Sequence, residues 1–296
     1  MRCLVTGATG YIGSNLCKAL VSRGDEVACV VRTKSDTKQI ASILDKAALY
    51  APLNAEDYVS MVKNVMPDVV FHLAAFGGAR HSIQDVPALI QSNIAFPTLL
   101  LDAMSICGVR NFVNIGSYWQ TPKSALYEPT CLYAATKQAL LDILLYYVKI
   151  HNFNAITLRL CDSYGAGDKR KKILNILRDA ARTGEHIPMS PGEQFLDLVY
   201  IDDIVSAIVK AGELLLRKSG LSGQLYEYSI SSKRPIKLKD LISLVEEETD
   251  TKLNVGLGEL PYRPNEILSP WTGRDWVPTW QPIVKLRDGI KKLCSQ

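Results

Sequence analysis

Tyr133 and Lys137 stand four residues apart in the stretch LYAATKQALL, residues 132–141, and of the 13 tyrosines in the chain only Tyr133 has a lysine at that spacing. On a helix, positions four apart share a face, so a phenol and an ammonium would lie about one turn from each other. A free phenol, with a pKa of about 10, exchanges protons poorly near neutrality. A neighbouring cation favours the phenolate, so the expectation is a lowered Tyr133 pKa and a part in proton transfer.

Such a pair needs elements to hold it. Apolar runs of strand length, RCLVTG, EVACVV, VVFHLAA, NFVNIGS and AITLRL, alternate with helical stretches through the first two thirds of the chain. Continuous Val/Ile/Leu runs separated by helices are what a parallel sheet covered on both faces produces. The expected fold class is α/β, a Rossmann-type doubly wound parallel sheet with a smaller C-terminal α/β domain. The texture changes near Gly165, where a basic segment, Pro- and Gly-containing loops and short strands such as LYEYSIS begin. The expected division is a dinucleotide-binding domain over residues 1–164, with 195–230 returning to it in part, and a smaller domain over 165–194 and 231–296. The basic run Lys169–Lys172 reads as a solvated helix start.

The N-terminus reads CLVTGATGYIGSNLCKAL: a strand, then Gly7, Gly10 and Gly13 spaced Gly-x-x-Gly-x-x-Gly, then a helix. Gly7 would allow a tight turn, Gly10 a close approach to a pyrophosphate, and Gly13 close packing of helix on strand. The pyrophosphate would sit at the helix N-terminus, where free N–H groups and the macrodipole favour negative charge, with Thr9, Tyr11 and Ile12 around it. The second strand ends CVVRTKS. An acidic residue there would bind the ribose of NAD, whereas Arg32 suits the 2′-phosphate, so the expected cofactor is NADP(H).

The 296 residues are 47% hydrophobic, enough for a full core, and a net charge of +4 gives no bias toward nucleic acid or a membrane surface. The seven cysteines form no Cys-x-x-Cys pair and the four histidines lack metal-ligand spacing, which points to free thiols and no metal. No run approaches about 18 consecutive apolar residues and the first strand begins near Met1, so the expectation is a soluble, cytoplasmic protein without a signal peptide.

With these motifs in order, the chain resembles the extended short-chain dehydrogenase/reductases, the nucleotide-sugar epimerase/dehydratase family. The likeness covers nearly the whole chain. It rests on TGATGYIG (6–13), FHLAA (71–75), Asn93, IGS ending at Ser117, YAATK (133–137), LRLCDSYGAGD (158–168), GEQFLDLVYIDD (192–203) and YRPNE (262–266). The resemblance implies a catalytic triad of Ser117, Tyr133 and Lys137, with Ser117 polarising the reacting carbonyl. It also implies cofactor contacts at Leu53, Leu73, Ala74, Ala75 and Asn93, and substrate contacts at Tyr118, Asp162, Gln194 and Arg263. In related proteins the helix corresponding to Tyr133–Ile150 builds a four-helix dimer interface, which implies a homodimer.

The family includes epimerases, dehydratases and reductases. Dehydratase relatives carry an Asp-Glu pair after the Thr or Ser, whereas Tyr118-Trp119-Gln120 follow Ser117 here. The strings SPGEQFLDLVYIDD (190–203) and CLYAATK (131–137) resemble those of reductases of CDP- or dTDP-4-keto-6-deoxyhexoses, which implies a nucleotide-diphosphate sugar as substrate. A 4-epimerase with tightly held NAD, a non-catalytic NADP sensor and a reductase of a non-sugar ketone stay open. The chain departs from many relatives at Asp162, where they carry Asn, and at Leu196, where they carry Arg.

Overall fold

The chain enters β1 (Arg2–Thr6), turns through the glycine loop into α1 (Tyr11–Ser22) and returns as β2 (Glu26–Val30). The alternation continues with β3 (Ala47–Tyr50), α2 (Ala55–Val65) and β4 (Val69–His72), then α3 (Val86–Ile90), a π-turn at Gln91–Ala95, and α4 (Phe96–Ile106). β5 (Asn111–Ser117), α5 (Leu132–His151) and β6 (Asn154–Leu160) carry the Tyr–Lys pair. Beyond them come β7 (Asp162–Tyr164), α6 (Ile173–Thr183), β8 (Ile187–Met189), β9 (Phe195–Leu196), β10 (Leu198–Tyr200) and α7 (Ile201–Leu216). The chain closes with β11 (Leu225–Ile230), β12 (Ile236–Lys237), α8 (Leu238–Thr249), β13 (Val255–Leu257) and α9 (Leu286–Cys294). This computed structural model describes residues 1–217 and 223–295; within the 195–230 return, residues 218–222 lie outside the described residues, as does residue 296.

Seven strands make one sheet in the order β11-β6-β5-β4-β1-β2-β3, every pairing parallel. Chain order reverses between β1 and β4, and that switch point leaves a crevice at the carboxyl ends of the strands where ligands bind in such folds. The sheet is covered on both faces, which is why its central strands read as unbroken apolar runs. Leu16, Phe71, Ile204 and Ile208 belong to one core; Leu4, Val70, Leu100, Phe112 and Leu144 belong to the other. Packing is close enough that a Cβ on Gly212 of α7 would lie 2.5 Å from Phe71 Cζ.

LYEYSIS, which lies almost wholly in the 195–230 stretch expected to return in part to the first domain, supplies β11, the edge strand beside β6. Three short ladders, β7–β10, β9–β12 and β8–β13, lie outside this sheet, and α6, α8 and α9 pack on one another beside them. Helical residues Ile83–Ile106, with mean hydropathy 1.3, are long and apolar enough by composition to cross a membrane. In the fold their inner side carries Leu89, Leu100, Leu101 and Met104 into the core. All seven cysteines are free.

Candidate active site

The glycine loop is set by backbone contact. Gly7 has φ 69°, and a Cβ there would lie 2.7 Å from Ala74 N. A Cβ on Gly13 would lie 2.1 Å from Gly7 O. Thr6 Oγ1 accepts from the N–H groups of Leu73 (3.2 Å) and Ala74 (3.1 Å), stitching the ends of β1 and β4 together beneath the loop. Gly10 is the N-cap of α1 and no side chain caps that helix, so its first-turn N–H groups are open to an anion. Thr9, Tyr11 and Ile12 are half-buried around them. This cradle fits a dinucleotide pyrophosphate.

Arg32 lies just past β2, fully on the surface, and its guanidinium has no ion-pair partner among the described residues; its N–H donates to Ser35 Oγ at 2.9 Å. Leu53 is also exposed, at 79%. Leu73 and Ala74 are half-buried and Ala75 is exposed at the mouth after β4. Asn93 is buried in the π-turn: its Oδ1 accepts from Phe76 N (2.8 Å) and its Nδ2 donates to Phe76 O (2.8 Å) and Thr136 Oγ1 (2.9 Å). Those bonds tie the loop after β4 to α5 through the Asn93 side chain.

β5 ends at Ser117, and α5 begins at Leu132 with Tyr133 and Lys137 in its first two turns. Lys137 is buried and its Nζ donates to Ile115 O at 2.9 Å, leaving N–H groups for a ligand. Burial holds its pKa down, to about 8. The Tyr133 phenol behaves opposite to the sequence expectation: burial, with a smaller push from Cys131, raises it to about 12. Lys137 Nζ lies 5.8 Å from the Tyr133 ring centre, and desolvation outweighs it, so Tyr133 rests as a protonated donor. Ser117 Oγ accepts from Trp119 N at 3.2 Å, which leaves its own proton to donate to a carbonyl.

Two glutamines that the sequence reading passed over hold this geometry. Ser117 N donates to Gln120 Oε1 (3.0 Å) and Gln120 Nε2 donates to Gln138 Oε1 (3.0 Å), fastening the turn after β5 to the helix of Tyr133. Position 138 adjoins Lys137, but side-chain identity alone carried no signal of a bond across 18 residues.

On the substrate side, Tyr118 donates to Asp162 Oδ2 at 3.0 Å and Lys172 Nζ lies 3.3 Å from Asp162 Oδ1. The basic run is therefore not a uniformly solvated start: Lys169 and Lys171 are exposed, whereas Arg170 and Lys172 turn inward. The alternation has the period of extended chain, the signal that would have separated them. Gln194 is buried and donates to Ser190 Oγ at 2.8 Å, with no partner for its Oε1. Arg263 makes no direct bond to the other site residues; it is 52% exposed and paired with Glu266 at 2.9 Å. Its loop does dock beside them, through Asn265 Nδ2 to Thr130 O (3.1 Å) and Trp271 N to Pro122 O (2.8 Å).

A family model described as the NAD dependent epimerase/dehydratase family matches residues 3–221. The chain belongs to the NAD-dependent epimerase/dehydratase family. Its members are NAD(P)-dependent oxidoreductases. The chain is 32% identical over 278 residues to the CDP-abequose synthase of Yersinia pseudotuberculosis, covering 91% of this chain and 92% of that one. It is 26% identical to UDP-glucuronate 4-epimerase 2 of Arabidopsis thaliana, covering 98% of this chain and 74% of that one. Among solved structures, UDP-glucose 4-epimerase of Thermotoga maritima, with UDP-glucose, superimposes with a TM-score of 0.85 at 23% identity, over 100% of this chain and 98% of that one. UDP-glucuronic acid 4-epimerase of Bacillus cereus, with UDP-glucuronic acid and NAD, gives a TM-score of 0.85 at 24% identity, over 100% and 98%. These likenesses establish the family's seven-stranded fold.

Proposed function

We propose that this chain is an NADPH-dependent reductase of the 4-keto group of a CDP- or dTDP-linked 4-keto-6-deoxyhexose, in deoxysugar biosynthesis. The observation that carries the reading is the turn after Ser117. Tyr118 and Gln120 are committed to internal bonds there and the turn carries no carboxylate of its own, so the Asp-Glu pair of the dehydratase relatives is missing. Arg32, unpaired at the adenosine-ribose end of the crevice, supports NADP(H), the cofactor a reductase exchanges at each turnover. The similarity to CDP-abequose synthases favours the same class.

The glycine loop of Gly7, Gly10 and Gly13, with Lys137, would hold the dinucleotide, whose chemistry would be delivery of a hydride to sugar C4. Tyr133 gives its phenolic proton to the carbonyl oxygen as the C–H bond forms, Ser117 donates a hydrogen bond to that oxygen, and Lys137 stabilises the phenolate left behind. Residues 165–194 and 231–296 would hold the nucleotide diphosphate, with Gln194 and Arg263 among its contacts. Leu99 and Ile106 of α4 and Leu145, Tyr146 and Ile150 of α5 are exposed apolar side chains, which supports a homodimer through these helices.

A second reading, a 4-epimerase with retained NAD, is favoured by the epimerases among the similar proteins. Incubation with NADPH deuterated at nicotinamide C4 and a panel of nucleotide-linked 4-keto-6-deoxyhexoses separates the two. Stoichiometric NADPH oxidation with deuterium at sugar C4 is expected. Interconversion of two 4-hydroxy sugars by protein that carries NAD through purification, without added cofactor, would establish the epimerase.

A further inference from the structure

The cluster beside the reacting phenol contains an ion pair that the proposed reaction does not yet use. Trp119 stands edge-on to Tyr133, ring centres 6.1 Å apart at 84°, and Lys172 Nζ lies 6.0 Å from the Trp119 ring centre. Lys172 is thus one indole away from the proton donor. Its side chain is 37% exposed and makes one hydrogen bond, to Asp162, so ammonium N–H groups remain for a ligand. Several other cations beyond β6 are also held in ion pairs. Arg170 grips both oxygens of buried Asp168, at 2.7 Å each, and donates to Ser163 Oγ. Arg159 and Arg274 share Glu227, and Lys237 and Lys239 share Glu193.

Asp162 poses a problem for an anionic substrate that Lys172 resolves. A carboxylate facing a diphosphate would repel it, yet this one already receives the Tyr118 hydroxyl and the Lys172 ammonium. Asp162 N also donates to Asp197 O at 3.0 Å, which ties β7 to the segment after Leu196. The segment bearing Lys172 is not loose: Arg170 lies 4.6 Å over the Tyr11 ring in the cofactor loop, so residues 168–172 bridge the cofactor cradle and the substrate mouth.

We propose that Lys172 contacts the diphosphate of the substrate, with Asp162 and Trp119 holding its ammonium in place. This rests on the nucleotide-sugar reading above. The ligand class is a nucleoside diphosphate, recognised through its phosphate oxygens and not through base or sugar.

Calorimetric titration of the full chain, without dinucleotide, tests it with CDP, dTDP and cytidine as probes; NADPH in a separate titration reports on the cofactor cradle. Lys172→Met keeps most of the side-chain stem and removes the charge. It should weaken whichever diphosphate the parent binds more tightly by about 10- to 100-fold, the range for a hydrogen bond to a charged group. Lys172→Arg should restore binding to within a few-fold, while NADPH affinity and any cytidine affinity stay at parental values. Unchanged diphosphate affinity in Lys172→Met overturns the proposal while leaving the nucleotide-sugar reading intact. An equal loss for cytidine or for NADPH also overturns it, since a contact confined to the substrate's diphosphate produces neither. If the parent chain binds neither diphosphate, the nucleotide-sugar reading itself fails, and this inference with it.

Discussion

The two walls of the crevice are built differently. On the cofactor side, backbone meets backbone: a Cβ at Gly13 would collide with Gly7 O at 2.1 Å, and Lys137, 2% exposed, is pinned to Ile115 O. On the substrate side the polar groups stand half in water as ion pairs, Lys172 with Asp162, Lys237 and Lys239 with Glu193, and Arg263 with Glu266. A buried, shape-defined contact has no alternative partner, so its loss is felt in full. Exposed pairs exchange partners with water or ligand at small cost. On the proposed reading, the hydride-and-proton chemistry would belong to the rigid wall, and the choice of substrate to the adjustable one.

The most severe test of the rigid wall is Tyr133→Phe, which keeps the ring against Trp119 and removes only the proton donor. Turnover should fall by roughly 10²- to 10⁴-fold while cofactor affinity persists. Steady-state kinetics with separate cofactor titration reads both, and near-parental turnover would mean that another group delivers the proton.

Lys137 offers the next largest effect, on stability. Its pKa is about 8 in the folded chain, against an ordinary 10.5. The unfolded chain binds more protons than the folded one between those values, so this group's destabilisation is full below pH ~8 and is relieved as pH rises toward ~10.5. Lys137→Met removes that cost, and without cofactor the variant should be the more stable at pH ~7, by at most roughly 3 kcal/mol. The lost bond to Ile115 O offsets part of this gain. The informative quantity is the pH trend: denaturant melts of both chains should show the gap shrinking as pH rises through that window. A constant gap would place Lys137 in a more solvated setting. His72, buried behind Lys137 with its pKa pushed down by burial and by the Lys137 charge, stays neutral there and does not titrate in that window.

At the open end of the cofactor wall, Arg32→Ala should weaken NADPH by about 10- to 100-fold and NADH by little, because only the former carries a phosphate for the guanidinium to hold. Direct titration with both cofactors settles it, and equal affinity of the parent chain for NADPH and NADH would remove the basis for expecting NADP(H).

This contrast also explains what the sequence made legible. Elements of the rigid wall have local signatures: glycine spacing between strand and helix, the i,i+4 Tyr–Lys pair, and apolar runs for strands buried on both faces. β3 was missed because Ala47–Tyr50 is four residues long, lies at the sheet edge and has its two central residues exposed, so it shows no apolar run. β11 lies within the 195–230 stretch expected to return in part to the dinucleotide-binding domain, but its partner strand was not legible, because pairing with β6 spans 70 positions in sequence and leaves no local trace. On the adjustable wall, a charge run looks the same whether its members face water or a site, so Lys172 was read with its exposed neighbours. The raised Tyr133 pKa escaped for a related reason: residue spacing shows the neighbouring cation but not the desolvation that outweighs it.

The smallest effect is expected at Arg263, where the sequence placed a diphosphate grip and the structure shows a half-exposed residue paired with Glu266 three positions away. An exposed pair of this kind contributes about 0–1 kcal/mol to stability. Arg263→Ala should therefore leave the melting temperature nearly unchanged. If the guanidinium leaves Glu266 for the substrate, KM for the nucleotide sugar should rise about 10-fold or more at constant kcat, as for a contact made equally in ground and transition states. If it stays paired, KM should move by no more than a few-fold, and Lys172 carries the diphosphate without it. Measuring KM for Arg263→Ala beside Lys172→Met, with Glu266→Gln to free the guanidinium, decides between these outcomes. A lowered KM in Glu266→Gln that vanishes when Arg263→Ala is added would show the substrate side exchanging partners, whereas no change in any of the three would mean that this wall is as fixed as the other.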